Sequence, residues 1–210
     1  ETAAMKDVRF WYASPEDRAA LDTVIAAAAA QADRTLAEAW QSRRAYPLVV
    51  TQGDGNLGVK GKNFEMLFSI AGAGPASLKV NGTEWLWRAP RPAFWRASTD
   101  NDRGCGFPLR AAAWMAADVF VTYSGMKVLE AGPDCVKVQF QFGIPTVPGA
   151  SAELVYTVEA QGALRVDAVY HGVAGAPELP CFGVKFETFG PVTRTVWTGL
   201  SGETYPDRYK

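Results

Sequence analysis

Apolar and polar residues alternate strictly in VKVQFQF at 136–142, and again in LRVDAVY at 164–170. The alternation is partial in LVYTV at 154–158. A period of two puts one face of each segment in a core and the other in water, which is the signature of a half-buried strand. FEMLFSI at 64–70 and VFVTY at 119–123 are expected to be further strands. Turn signals separate them: GAGP at 72–75, Asn81-Gly82, GPD at 132–134, Pro148-Gly149 and Gly162. Asn81-Gly82 joins LKV at 78–80 to EWLW at 84–87 and predicts a tight hairpin. Alanine-rich residues 110–118 predict one short helix with Trp114 and Ala117 facing inward. The rest is expected to be antiparallel sheets packed face to face.

The first forty-odd residues carry a different period. Ser14 is placed to cap a helix, with Pro15 in the first turn and Glu16 and Asp17 behind it. Leu21, Val24, Ile25, Ala28, Ala32, Leu36, Ala39 and Trp40 then form a helical stripe. The helix is expected to stop near Tyr46-Pro47, because a residue before proline avoids the helical region. The expected division is therefore a helical linker or segment over 1–47 and a β domain over 48–210.

Composition narrows the function classes. With 210 residues the chain has enough surface to bury a core without staples. A net charge of −1 gives no electrostatic case for nucleic acid or an anionic membrane. The longest plain apolar run, 24–30, is far short of the roughly 18 residues that a membrane helix needs. No basic-then-apolar leader opens the chain, and it lacks an initiator Met, so a processed or excised fragment is expected. Cys105, Cys135 and Cys181 are few, odd in number and far apart, which suggests neither a disulfide framework nor a zinc site. The setting expected from them is reduced and cytoplasmic.

Candidate chemistry concentrates in FWRASTDNDRG at 94–104. Were Asp100 and Asp102 extended, their carboxylates would share a face roughly 7 Å apart, between the spacings of retaining and inverting glycosidases. Catalytic pairs, however, usually come from separate elements that can be aimed independently. Aspartates two apart in a loop more often bond backbone amides or pair with arginine, and Arg96 and Arg103 are at hand. Catalysis by this pair, a ligand-adjacent loop and a purely structural turn all remain open from the residues alone. Glu203 and Asp207 lie in GLSGETYPDR at 199–208, which looks like a turn fastened by Asp207 and Arg208. The single histidine, His171, ends an alternating segment with no nucleophile placed beside it. GDGNLG at 53–58 is expected to be a loop and precedes a strand, so it offers no helix N-terminus to a phosphate.

PAFWRASTDNDRG at 92–104 together with GLSGETYPDR at 199–208 resembles the C-terminal small-chain domain, domain 5, of family 2 β-galactosidases. The likeness is to the small subunit of two-chain lactobacillus-type enzymes. Supporting strings in the same order are GDGNLG at 53–58, KVNGTEWL at 79–86, AAWMAAD at 112–118 and ELPCFG at 178–183. The resemblance implies an all-β fold, an antiparallel supersandwich like that of galactose mutarotases, truncated here at its C-terminal end. It implies retaining hydrolysis of terminal β-galactosides such as lactose, by two glutamates of a TIM-barrel domain or large subunit outside this chain. Catalytic residues in this chain are then none. The family's Mg²⁺ and Na⁺ would bind through that barrel, so no metal or cofactor site is expected here.

Residue matching places Asp102, Arg103, Gly104, Cys105 and Gly106 beside the galactose pocket as a movable wall. It makes Trp95, Arg96, Asp100, Asn101, Tyr205, Asp207 and Arg208 structural members of the motif. Two other functions stay open: a stand-alone carbohydrate-binding sandwich and a mutarotase-like epimerase.

Overall fold

The structure is a computed structural model. It describes residues 46–190 and the single position 27. The expected N-terminal helix, and with it the 1–47 boundary, lies outside the described residues. Five strands follow one another first: β1 (Val49–Gln52), β2 (Asn56–Lys60), β3 (Phe64–Ser69), β4 (Gly74–Val80) and β5 (Thr83–Glu84). They form an antiparallel sheet in sequence order. β6 (Leu86–Ala93) leaves that sheet and pairs with the last described strand, β11 (Gly183–Thr188). Between them come three short helices, α1 (Asp100–Gly104), α2 (Phe107–Arg110) and α3 (Ala112–Phe120). A four-stranded antiparallel meander follows: β7 (Thr122–Ala131), β8 (Cys135–Gly143), β9 (Ser151–Glu159) and β10 (Leu164–His171).

Alternation decides which faces meet. Phe64, Met66 and Phe68 of β3 are buried, as are Val136, Val138, Phe140 and Phe142 of β8 and Leu154, Tyr156 and Val158 of β9. The inner faces join across the sandwich, where the Phe68 ring lies 6.2 Å from Phe140 and 5.8 Å from Tyr156. One continuous core results, and the architecture is an all-β sandwich of antiparallel sheets.

The Asn81-Gly82 hairpin forms as expected, with Val80 opposite Thr83 and φ of 50° and 80° at the two turn residues, the left-handed pair of a type I′ turn. Its second arm is brief, because Glu84 turns back. Its carboxylate accepts bonds from the amides of Leu78, Trp85 and Leu86, and the chain departs for β6.

Three expectations are corrected. Residues 119–123 are not a strand: α3 runs through Val119 and Phe120, and β7 begins at Thr122. The alanine-rich turn upstream carries the helix forward, and the inward spacing of Trp114 and Ala117 secures it locally. The single helix expected over 110–118 is two helices that meet at Ala111. GDGNLG is a loop only in its first half; Leu57 enters β2 buried, and Gly58 pairs with Thr51 and Leu67.

The strand period predicts a sharp contrast between neighbours in β3. Phe68→Ala should lower unfolding free energy by about 3–5 kcal/mol, because the ring fills the space between sheets. Leu67→Ala, on the outer face, should stay within about 0.5 kcal/mol. Urea denaturation of the two variants measures both.

Candidate functional site

FWRASTDNDRG starts in the core and ends at the surface. Phe94 is fully buried and sits among Trp114, Tyr170 and Phe182, with ring centroids 5.7, 6.3 and 5.8 Å away. Its amide donates to Asp118 Oδ1 at 2.6 Å. Trp114 Nε1 donates to the Pro177 carbonyl at 3.0 Å, tying α3 to the segment before β11. Trp95 is half-buried against the same core.

The next residues are extended until Thr99 caps α1. Thr99 Oγ1 accepts from the Asp102 amide at 3.2 Å, and the Asp102 carboxylate accepts from the Thr99 amide at 2.8 Å. This reciprocal box satisfies two donors that a helix start otherwise leaves open. Arg96 grips the same carboxylate with both Nη atoms, at 2.6 and 3.2 Å, while its Nε donates to the Pro180 carbonyl at 3.2 Å. Asp102 keeps only 14% of its side-chain surface exposed. The Arg96 hydrogen bonds, then the Thr99 amide, hold its carboxyl far below the usual carboxylate range.

Asp100 points the other way. Its side chain is 95% exposed and pairs with Arg103 one turn along. The extended arrangement that would align the two carboxylates therefore does not occur, because α1 coils the segment and each aspartate is matched to its own arginine. Asn101, between them, is exposed and its backbone carbonyl accepts from the Cys105 amide at 3.0 Å.

Beyond α1 the backbone doubles back. Gly106 has φ 70°, ψ 18°, the left-handed region that disfavours a side chain, and its carbonyl receives the amides of Leu109 and Arg110. Gly104 carries no such requirement; a Cβ there would meet open space. Arg103, Gly104 and Cys105 are exposed, and Gly106 is half-exposed. Arg110 donates to the Cys105 carbonyl and so pins this corner. The turn thus presents mobile side chains and accessible backbone at its tip on a fixed base.

Tyr205, Asp207 and Arg208, with Glu203, lie outside the described residues. His171 is exposed at the end of β10 opposite Ser151. All three cysteines are free thiols. Among the described residues no group of three or more His, Cys, Asp or Glu side chains could hold a metal ion. No helix there is long and apolar enough to cross a membrane. Sequence reasoning missed the Asp118 clamp on the Phe94 amide, although a single acid in an otherwise apolar helix was a signal for it.

Asp102 yields a pH prediction. Its folded pKa lies below the ordinary 3.8, so the ion pair stabilises fully above about pH 4 and is lost as pH falls through the folded value. Asp102→Asn should therefore melt below the parent chain at pH 7, and the gap should close progressively in acid below about pH 3.8. Thermal melts across pH 2–7 measure it.

Comparison with known proteins places this arrangement. The family model described as "Beta galactosidase small chain" matches residues 60–210. The chain is 44% identical over 180 residues to the beta-galactosidase small subunit of Latilactobacillus sakei, covering 77% of this chain and 57% of that protein. It is 36% identical to a beta-galactosidase of Clostridium acetobutylicum, covering 76% of this chain and 18% of that protein. It is 35% identical to one of Streptococcus thermophilus, covering 77% and 16%. The chain therefore spans a little over half of the small subunit and under a fifth of the longer relatives. The family match begins at β2 and contains the whole 94–106 turn: the chain belongs to the beta-galactosidase small chain family.

Proposed function

We propose that this chain is a non-catalytic part of a β-galactosidase that hydrolyses terminal β-D-galactosides such as lactose. Its role is to complete the wall of the sugar site with residues 103–106 and to stabilise the assembled enzyme. The observation that carries the reading is the state of the two aspartates. A general acid must hold a proton near neutral pH. Asp102 is driven the opposite way by Arg96, and Asp100 stands in solvent beside Arg103. Neither suits proton transfer to a glycosidic oxygen, so the acid pair is supplied by a catalytic barrel domain or large subunit, the chain's main partner.

The same pairing bears on cations. With both carboxylates matched to arginines, the turn offers no donor set for Mg²⁺ or Na⁺. Those ions, where the enzyme needs them, belong to the catalytic part. The three free cysteines support a reducing, cytoplasmic setting. A near-neutral charge supports neither nucleic acid nor an anionic membrane as partner. The lone exposed His171 speaks against a mutarotase-like acid–base pair. A stand-alone sugar-binding module is disfavoured by the family match.

Two measurements test this. The purified chain should give no turnover of a chromogenic β-galactoside, and robust turnover would refute the division of labour. In the complete enzyme, Gly106→Val strains the left-handed corner by about 1–2 kcal/mol and displaces residues 103–106. The expected result is a several-fold rise in KM with the catalytic acids intact, read from steady-state kinetics; an unchanged KM would remove these residues from the sugar wall.

A further inference from the structure

Helix α3 has no polar face. Its sequence is AAWMAADVF, and its one acid, Asp118, accepts the Phe94 amide. Trp114 and Ala117 face the core, fully buried. The opposite side carries Met115 and Val119, one turn apart, exposed by 54% and 71%. Phe120 and, from the neighbouring α2, Leu109 add 61% and 85% exposure. A helix apolar all round is ordinarily covered on all sides. Scattered exposed apolar residues need no explanation, but four on adjoining short helices form a patch.

We infer that the outer face of α3 with Leu109 is the surface on which the catalytic part of the enzyme docks. This rests on the functional reading above. Two further observations select that occupant. The first is continuity: α3 follows directly from the 103–106 turn through α2, so anything that places a sugar site against that turn also comes to rest beside this helix. The second is charge. The groove beside Val119 is lined by Arg88, Arg91 and Lys185, with Glu187 serving both Arg88 and Lys185. Arg110 adds a further cation beside Leu109. An apolar patch with a basic margin fits a surface with an acidic margin. It disfavours a second copy of itself, which would set like charges together. The relatives supply the needed mass: over four-fifths of the longer β-galactosidases lies outside the matched region.

The test uses the complete enzyme. A photo-crosslinking amino acid is placed at Met115 and, as control, at Val49, an exposed apolar residue of β1. Adducts are mapped by mass spectrometry. The expected result is a crosslink from position 115 to the catalytic part and none from position 49. An adduct to a second copy, to residues 1–45, or no adduct at position 115 would overturn the inference. As a second arm, Met115→Asp with Val119→Asp should lower the yield of assembled, active enzyme at least tenfold, while Val49→Asp leaves it unchanged. Equal yields would also overturn it. The kinetics of Gly106→Val separate this from the sugar-wall reading. An unchanged KM with a positive crosslink removes the wall and keeps the interface. A raised KM without a crosslink does the reverse.

Discussion

Phe94 and the three rings around it hold the candidate site in place. The turn at 94–106 leaves the core at this residue, and everything it presents is measured from there. Burying a ring of this size stabilises by about 1.5–3 kcal/mol, and edge or offset contacts add roughly 0.5–1.5 kcal/mol. An ion pair near the surface contributes about 0–1 kcal/mol. The aromatic wedge therefore decides where the turn stands. The Arg96–Asp102 pair and the Thr99 box decide how it is shaped.

The wedge also links distant parts of the chain. Phe94 ends β6, Trp114 belongs to α3, Tyr170 to β10, and Phe182 precedes β11. Arg96 adds a bond to the Pro180 carbonyl from the same direction as Trp114 reaches Pro177. A turn tied to three elements has little freedom at its base. Freedom is left to the tip, where Gly106 reverses the backbone and Arg103 to Cys105 are exposed. A rigid base and an accessible tip suit a wall that meets a ligand held by other groups. They do not suit a proton donor, because the contacts that fix Asp102 also keep it ionised.

Much of this was legible from residues alone. The alternating segments became β3, β8, β9 and β10, since a period of two has one solution when one face must be buried. Asn81-Gly82 specified its turn by chemistry that few other pairs possess. Arg96 and Arg103 were recognisable as partners for the aspartates, because short acidic loops with nearby arginines tend to close on themselves. What escaped was non-local. The end of α3 ran past Val119, whose β-branched side chain suggested a strand, because the helix was already nucleated and anchored by Trp114. The bond from the Phe94 amide to Asp118 spans 24 residues, and no pattern along the chain marks that distance. The outward apolar face of α3 was written plainly in AAWMAADVF, yet only the placement of Asp118 shows that the helix has nothing polar left to offer water.

The central claim is that this turn shapes a sugar site without acting on the bond that is cleaved. A structure of the complete enzyme with a bound galactoside analogue tests it most directly. The account predicts sugar against the backbone of residues 103–106, Asp102 still held by Arg96, and both carboxyl groups flanking the glycosidic oxygen coming from outside this chain. A carboxyl oxygen of Asp100 or Asp102 within about 3 Å of that glycosidic oxygen would contradict it.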